Sequence, residues 1–206
     1  MTKSLLEQVR QHYDLLIDQN NDPVCDPKPL RDYMDQWDGP TFFDNLLLSR
    51  EKSVLEIGVG TGRLAVKTAP LCGAFYGIDL SPKTIKRAQE HLAGCENVTL
   101  ICGDFLSYPF YRPFDVIYSS LTFMHIAKKQ QAINKVAAML NAGGRFVLSI
   151  DENQEPYLDT GVNKLKVYPD TPKATAKTIC NAGLTIVDQY STAFATIFVA
   201  QKESAR

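Results

Sequence analysis

Apolar residues follow two rhythms along this chain. Near the amino terminus, Leu5, Leu6, Val9, Tyr13, Leu16 and Ile17 recur at three- and four-residue steps, which puts them on one side of a helix. A stretch crowded with Pro and Asp follows at 22–29, where missing N–H groups and fixed φ values rule out a regular helix. A second helical stretch is predicted over about 30–48, broken at Gly39-Pro40. From Ser53 the rhythm changes, and short continuous apolar runs at 54–57, 74–78, 98–101, 114–118 and 145–150 read as buried strands. Helical stretches at about 63–71, 82–92 and 128–140 separate them; Ser81 and Pro82 supply a cap and a first position for one, and Gly94 a stop. A helix at 172–181 then leads to strands at 184–190 and 195–201, too close together for a parallel crossover and hence an antiparallel hairpin. The expected architecture is α/β: a mostly parallel seven-stranded sheet, helices on both faces, and a C-terminal antiparallel hairpin.

Size fits one such domain at 51–206, preceded by a helical lid or extension at 1–50. The 206 residues carry a formal net charge of −1, which speaks against a nucleic-acid binder working by long-range attraction. The five cysteines form no C-x-x-C pair. His91 and Cys95 stand four apart on a predicted helix, but two ligands do not make a zinc site, so no metal is expected. Scattered thiols fit a reducing compartment. The amino terminus lacks the apolar core of a secretory signal and no apolar run reaches membrane-spanning length, so the expectation is a soluble cytoplasmic protein without membrane partners. Oligomeric state is not readable from the chain.

Candidate chemistry gathers at the strand ends. The first apolar strand runs into Gly58-Val59-Gly60-Thr61-Gly62 and then a helical stretch, an arrangement in which glycine lets the backbone approach a ligand closely. The spacing separates two ligand classes. Dinucleotide sites favour G-x-G-x-x-G; here the third glycine comes one residue early and Arg63 stands where that pattern wants glycine. Glu56, two residues before the first glycine, would repel a diphosphate but suits a ligand bearing an ammonium group, which disfavours a nicotinamide oxidoreductase. Asp79 closes the second strand 21 residues after Gly58, where an acid accepts hydrogen bonds from ribose hydroxyls; it equally suits the entry of the helix that follows. Asp104 closes the third strand and reads either as an acceptor for an adenine amino group, with Leu80 or Phe105 over the ring, or as a turn residue.

These segments resemble the motifs of class I S-adenosylmethionine-dependent methyltransferases. Val54 to Arg63 is similar to the family's first motif, Tyr76 to Ser81 to its second, Gly103-Asp104-Phe105 to its third and Phe114 to Ser119 to its fourth, while Leu140 to Phe146 looks like the turn before its fifth strand. The likeness covers roughly residues 50–202 and implies a Rossmann-like fold with S-adenosyl-L-methionine as cofactor. It assigns Glu56, Gly58, Val59, Gly60 and Gly62 to the methionine end, Asp79 to the ribose, and Leu80, Asp104 and Phe105 to the adenine. Ser119 would line the sulfonium and acceptor side. Residues 1–50 match no pattern of the family, although Tyr13-Asp14 resembles a pair that precedes the core in some members, which makes Tyr13 a lid candidate.

The resemblance implies methyl transfer, and a small-molecule acceptor fits a balanced charge, a short insert at about 152–170, and a fourth motif without the prolines of amino-methylating nucleic-acid enzymes. That insert, with Tyr157, Leu158, Val162, Leu165, Val167 and Tyr168, reads as a small hairpin over the acceptor or as a plain connecting loop. A general base is needed only if the acceptor must lose a proton. His125 is the histidine nearest this edge and reads as that base or as a residue fixing its loop; Tyr118, Glu152 and Tyr157 are further candidates. A catalytically silent S-adenosylmethionine binder, serving as a sensor or partner subunit, would carry the same cofactor motifs.

Overall fold

The computed structural model describes residues 4–159 and 164–204. Helix α1 (Leu5–Asp18) starts where Ser4 Oγ accepts the Glu7 N–H, and α2 (Lys28–Met34) and α3 (Phe42–Leu46) follow the Pro-rich segment, with a 3₁₀ turn at Asp35–Trp37 between them. The core then alternates β1 (Ser53–Ile57), α4 (Ala65–Thr68), β2 (Ala74–Asp79), α5 (Pro82–His91), β3 (Val98–Cys102), β4 (Phe114–Ser119), α6 (Lys129–Met139) and β5 (Leu140–Asp151). A small antiparallel pair, β6 (Tyr157–Asp159) and β7 (Lys164–Lys166), precedes α7 (Pro172–Asn181), β8 (Leu184–Ser191) and β9 (Ala195–Lys202).

Seven strands form one sheet in the order β3-β2-β1-β4-β5-β9-β8. The pairs from β3 through β5 are parallel, and β9 runs antiparallel to both β5 and β8. The apolar strand runs follow from burial on both faces. Leu55, Ile117, Phe146 and Leu148 face one layer with α6 and α7, while Val54, Val116, Tyr118 and Val147 face the other with α3, α4 and α5. The chain steps outward from β1 to β2 and β3, then returns to lay β4 against β1. That reversal opens a crevice beyond the carboxyl ends of β1 and β4, where such sheets bind ligands. Among the described residues, no helix is long and apolar enough to cross a membrane.

Two elements differ from the sequence reading. The helix expected over 63–71 shrinks to α4 and a 3₁₀ turn at Ala69–Leu71, because Gly62 sits at φ +97° on one side and Pro70 supplies no N–H on the other. The glycines at 143 and 144 lie inside β5 rather than before it, and the added length is taken up by a register shift against β4 between Phe114 and Val116. The insert does form a hairpin, although Val162 lies outside the described residues.

Candidate active site

The crevice is a cavity of about 900 Å³, at the upper end of what small-molecule sites offer. Its floor comes from the strand ends (Glu56, Gly58, Val59, Gly60, Asp79, Leu80, Asp104 and Phe105) and its roof from α1, whose Leu5, Leu6, Val9, Tyr13, Leu16 and Ile17 all line it. The amphipathic stripe of the first helix therefore turns toward the cavity. Asp14 accepts the Ser81 hydroxyl at 2.7 Å, pinning α1 to the start of α5.

The glycine turn follows from local geometry. Gly58 and Val59 both donate to the Ile78 carbonyl, at 2.8 and 3.1 Å, so the turn is hooked onto β2. Gly58 has φ +79°, and a Cβ there would overlap the Thr122 side chain. Gly60 has φ +54°, yet a Cβ there would meet nothing within 4 Å, so the protein leaves the space beside this backbone open. Gly60→Ala should therefore fold at a cost of roughly 1 kcal/mol for its positive φ, while a ligand running along the turn loses its approach. Comparing melting temperature with ligand affinity for this variant tests that: equal affinity in both proteins would place the ligand elsewhere. Gly62 faces away from the cavity, packed on Ala65, Ala88 and Leu92.

Glu56 is almost fully buried, and its Oε2 accepts the Tyr118 hydroxyl at 2.8 Å. Burial pushes its carboxyl up to about 8, against the opposing pull of the Tyr118 hydrogen bond and the Arg63 charge. Arg63 is itself shared: its guanidinium pairs with Asp38 at 2.6 Å and Asp35 at 3.1 Å. Arg63 is thus committed to Asp38 and to Asp35, which Lys67 also holds at 2.8 Å, and among the described residues Glu56 has no ion-pair partner, so a cationic group arriving in the cavity would find an acid open to it.

Asp79 Oδ2 accepts the Gly60 N–H at 3.0 Å, and Oδ1 accepts the Ser81 N–H and Thr84 hydroxyl at 2.9 and 3.0 Å. Enclosure raises its pKa and these donors hold it down. Asp79 therefore organises the helix entry and also lines the cavity. Asp104 likewise accepts the Leu106 and Ser107 N–H groups while lining the wall. Phe105 is mostly covered, with its ring against Phe110 and the Lys135 ammonium.

Ser119 corrects the sequence reading. It is fully buried, its hydroxyl donates to the Ile57 carbonyl at 2.9 Å, and the next residue, Ser120, lines the cavity instead. Successive side chains of a strand point to opposite faces, so one position at a strand end decides between core and cavity. Tyr118 is also removed as a base: fully buried between Glu56 and Thr68, its phenol is held well above the ordinary value by burial and the Glu56 charge. Glu152 and Tyr157 are exposed and outside the cavity wall.

His125 lies on the wall, buried, with its Nε2 hydrogen-bonded to the Tyr13 hydroxyl at 2.8 Å. Burial is the main cause that lowers its pKa to about 4, so the imidazole is neutral at ordinary pH. This link between roof and wall joins residues 112 apart in sequence and had no local signal; nor had the Arg63 pairs with Asp35 and Asp38.

Residues 54–144 match the family model described as a methyltransferase domain. An uncharacterized methyltransferase of Anoxybacillus flavithermus is 36% identical over 121 residues, covering 57% of this chain and 56% of that one. The chain thus spans about half the length of the curated relatives it matches. Among solved structures, the magnesium protoporphyrin IX methyltransferase of Synechocystis with bound S-adenosylmethionine superposes with a TM-score of 0.76 at 17% identity, over 98% of this chain and 99% of that one. The cyclase SpnF gives 0.77 at 15% identity, over 99% and 98%. Likeness at these identities speaks to the fold. The matched segment runs from β1 into β5, the stretch that builds the strand ends under the cavity, and over that stretch the chain is similar to methyltransferase domains.

Proposed function

We propose that the protein transfers a methyl group from S-adenosyl-L-methionine to a small, largely apolar acceptor held under α1. The observation that carries this reading is a buried acid, Glu56, without an ion-pair partner among the described residues, on the wall of a cavity too large for the cofactor's adenosine alone. The residues present fit the cofactor. Glu56 suits the ammonium, the open space beside Gly60 suits a chain of atoms running along the turn, Asp79 Oδ2 keeps acceptor capacity for ribose, and Leu80 and Phe105 offer apolar cover beside Asp104. S-adenosylmethionine supplies a methyl group already activated by its sulfonium, for in-line displacement.

The chain's own work is then alignment and exclusion of water. Leu5, Leu6, Val9, Leu16, Ile17 and Met124 give the rest of the cavity an apolar lining, which favours an acceptor with a hydrophobic body. The lid role of residues 1–50 rests on α1 roofing this space and on Tyr13, which reaches the wall through His125.

For His125, position carries more than proton transfer. A neutral imidazole with a pKa near 4 and its Nε2 bound to Tyr13 is a weak base, so its expected role is to hold the lid. Tyr13→Phe and His125→Ala should each raise KM for the cofactor by about tenfold, one lost buried hydrogen bond's worth, with kcat little changed. A fall in kcat of a hundredfold or more in His125→Ala, with KM unchanged, would instead make it the base.

Calorimetry with S-adenosylmethionine, S-adenosylhomocysteine and NAD, followed by product detection across a metabolite panel, tests the function. Tight NAD binding with none to the adenosyl ligands overturns the reading. Adenosyl binding with no methylated product from any acceptor favours a silent binder acting as sensor or partner subunit.

A further inference from the structure

Outside the cavity, three side chains of different chemistry meet where the segment after α1 crosses α5. Asp22-Pro23-Val24-Cys25 is a hydrogen-bonded turn, Cys25 N–H to Asp22 carbonyl at 2.9 Å, with acid first and proline second as such turns prefer. A turn of this kind brings its first and fourth side chains close together. Asp22 Oδ1 accepts the Val24 N–H at 3.2 Å, which leaves Oδ2 directed at His91 Nε2, 2.8 Å away. Cys25 Sγ lies 4.0 Å from the same nitrogen. All three donor atoms fall within 4.8 Å of one another.

We propose that Asp22, Cys25 and His91 form a binding site for a zinc-like divalent cation that staples the lid segment to the core. One thiolate, one imidazole and one carboxylate are the donors that borderline-soft zinc takes, and hard cations such as magnesium do not choose sulfur. In a tetrahedral zinc site the metal–ligand distances put neighbouring donors roughly 3.3–3.6 Å apart, so the present spacings need adjustments well under an ångström for the nitrogen with either neighbour. His91 is the last residue of α5, where the helix dipole favours positive charge. Arg87 also reaches Asp22, at 3.7 Å, but it is partly exposed and has a second partner in Glu90, so it can yield to a cation. Binding releases the Cys25 thiol proton to solvent as the sulfur takes the metal, and water completes the fourth position.

The site would act on the cavity from behind. Asn21, Pro23 and Asp26 line the cavity while Asp22, Cys25 and His91 do not, so the cation would fix the wall without touching the contents. Sequence spacing gave no hint of this, because Cys25 and His91 are 66 residues apart.

The experiment is titration of the metal-free, reduced 206-residue chain with Co²⁺, then competition with Zn²⁺. The expected result is one equivalent bound, with a thiolate-to-cobalt charge-transfer band that zinc abolishes. Cys25→Ser should remove the band, and His91→Gln should weaken affinity at least about tenfold. Cys25 is exposed, so its substitution leaves folding intact, and circular dichroism checks this for both variants. Zinc should also raise the melting temperature of the wild type and not of Cys25→Ser. Absence of a stoichiometric site in the wild type, or a band that survives in Cys25→Ser because another thiol carries it, overturns the proposal. None of these readouts depends on the cofactor.

Discussion

Glu56→Gln should weaken binding of S-adenosylhomocysteine, which keeps the ammonium group, by about a hundredfold or more, and should flatten the pH dependence of that binding. The magnitude is that of removing one partner from a buried, desolvated charge pair, since the amide leaves the ammonium in place without its counter-charge. The pH dependence follows from the carboxyl's environment. Burial raises its pKa from an ordinary 4.5 to about 8, so in the ligand-free protein it is protonated at neutral pH. An arriving ammonium favours the carboxylate, and a proton leaves on binding. Affinity should climb by up to about tenfold per pH unit below pH 8 and level off above it.

The same shift has a consequence for the free protein. A group that holds its proton more tightly when folded contributes stability that is fully present below pH 4.5 and is lost as pH rises through 8. The ligand-free melting temperature should therefore fall across this window, and Glu56→Gln should remove that part of the fall. Isothermal titration at several pH values, paired with thermal melts, checks both. A glutamine variant with wild-type affinity, or with the wild-type pH slope, would detach Glu56 from the ammonium.

Why so much of this site could be read in advance is a matter of where the physics is local. The strands were visible because a sheet covered on both faces needs unbroken apolar runs, and the glycine turn because Gly58 and Gly60 take positive φ values that other residues resist. The place of Asp79 on the cavity wall was legible by its distance from the turn. Ser119 failed for a reason of the same scale: strand side chains alternate, and a one-residue uncertainty in where β4 stops moves a hydroxyl from cavity to core. Other features were beyond reach because their partners are far apart in sequence. Tyr13 meets His125, Arg63 meets Asp35 and Asp38, and Cys25 meets His91 only after the amino-terminal segment has folded over the sheet. That segment carries the roof of the cavity, so the surroundings of the proposed acceptor were the least legible part of the site.

Asp79→Ala should have the second large effect, and its difficulty is that one side chain does two things. The substitution strips acceptors from the Gly60 and Ser81 N–H groups and the Thr84 hydroxyl, which should lower stability by about 1–3 kcal/mol and loosen the turn. It also removes the proposed ribose acceptor, and together these should weaken S-adenosylhomocysteine binding by a hundredfold or more. Affinity alone cannot divide the two roles, because a slack turn binds any ligand poorly. A cycle that changes the ligand as well can. In the wild type, an analogue lacking both ribose hydroxyls should bind at least tenfold more weakly than S-adenosylhomocysteine, since the buried carboxylate loses its partners. In Asp79→Ala the two ligands should bind alike, because nothing remains to distinguish them. If the hydroxyls are worth as much in the variant as in the wild type, Asp79 serves only the turn and the ribose has another partner. If they are worth nothing in either protein, the ligand's sugar does not lie against β2 at all.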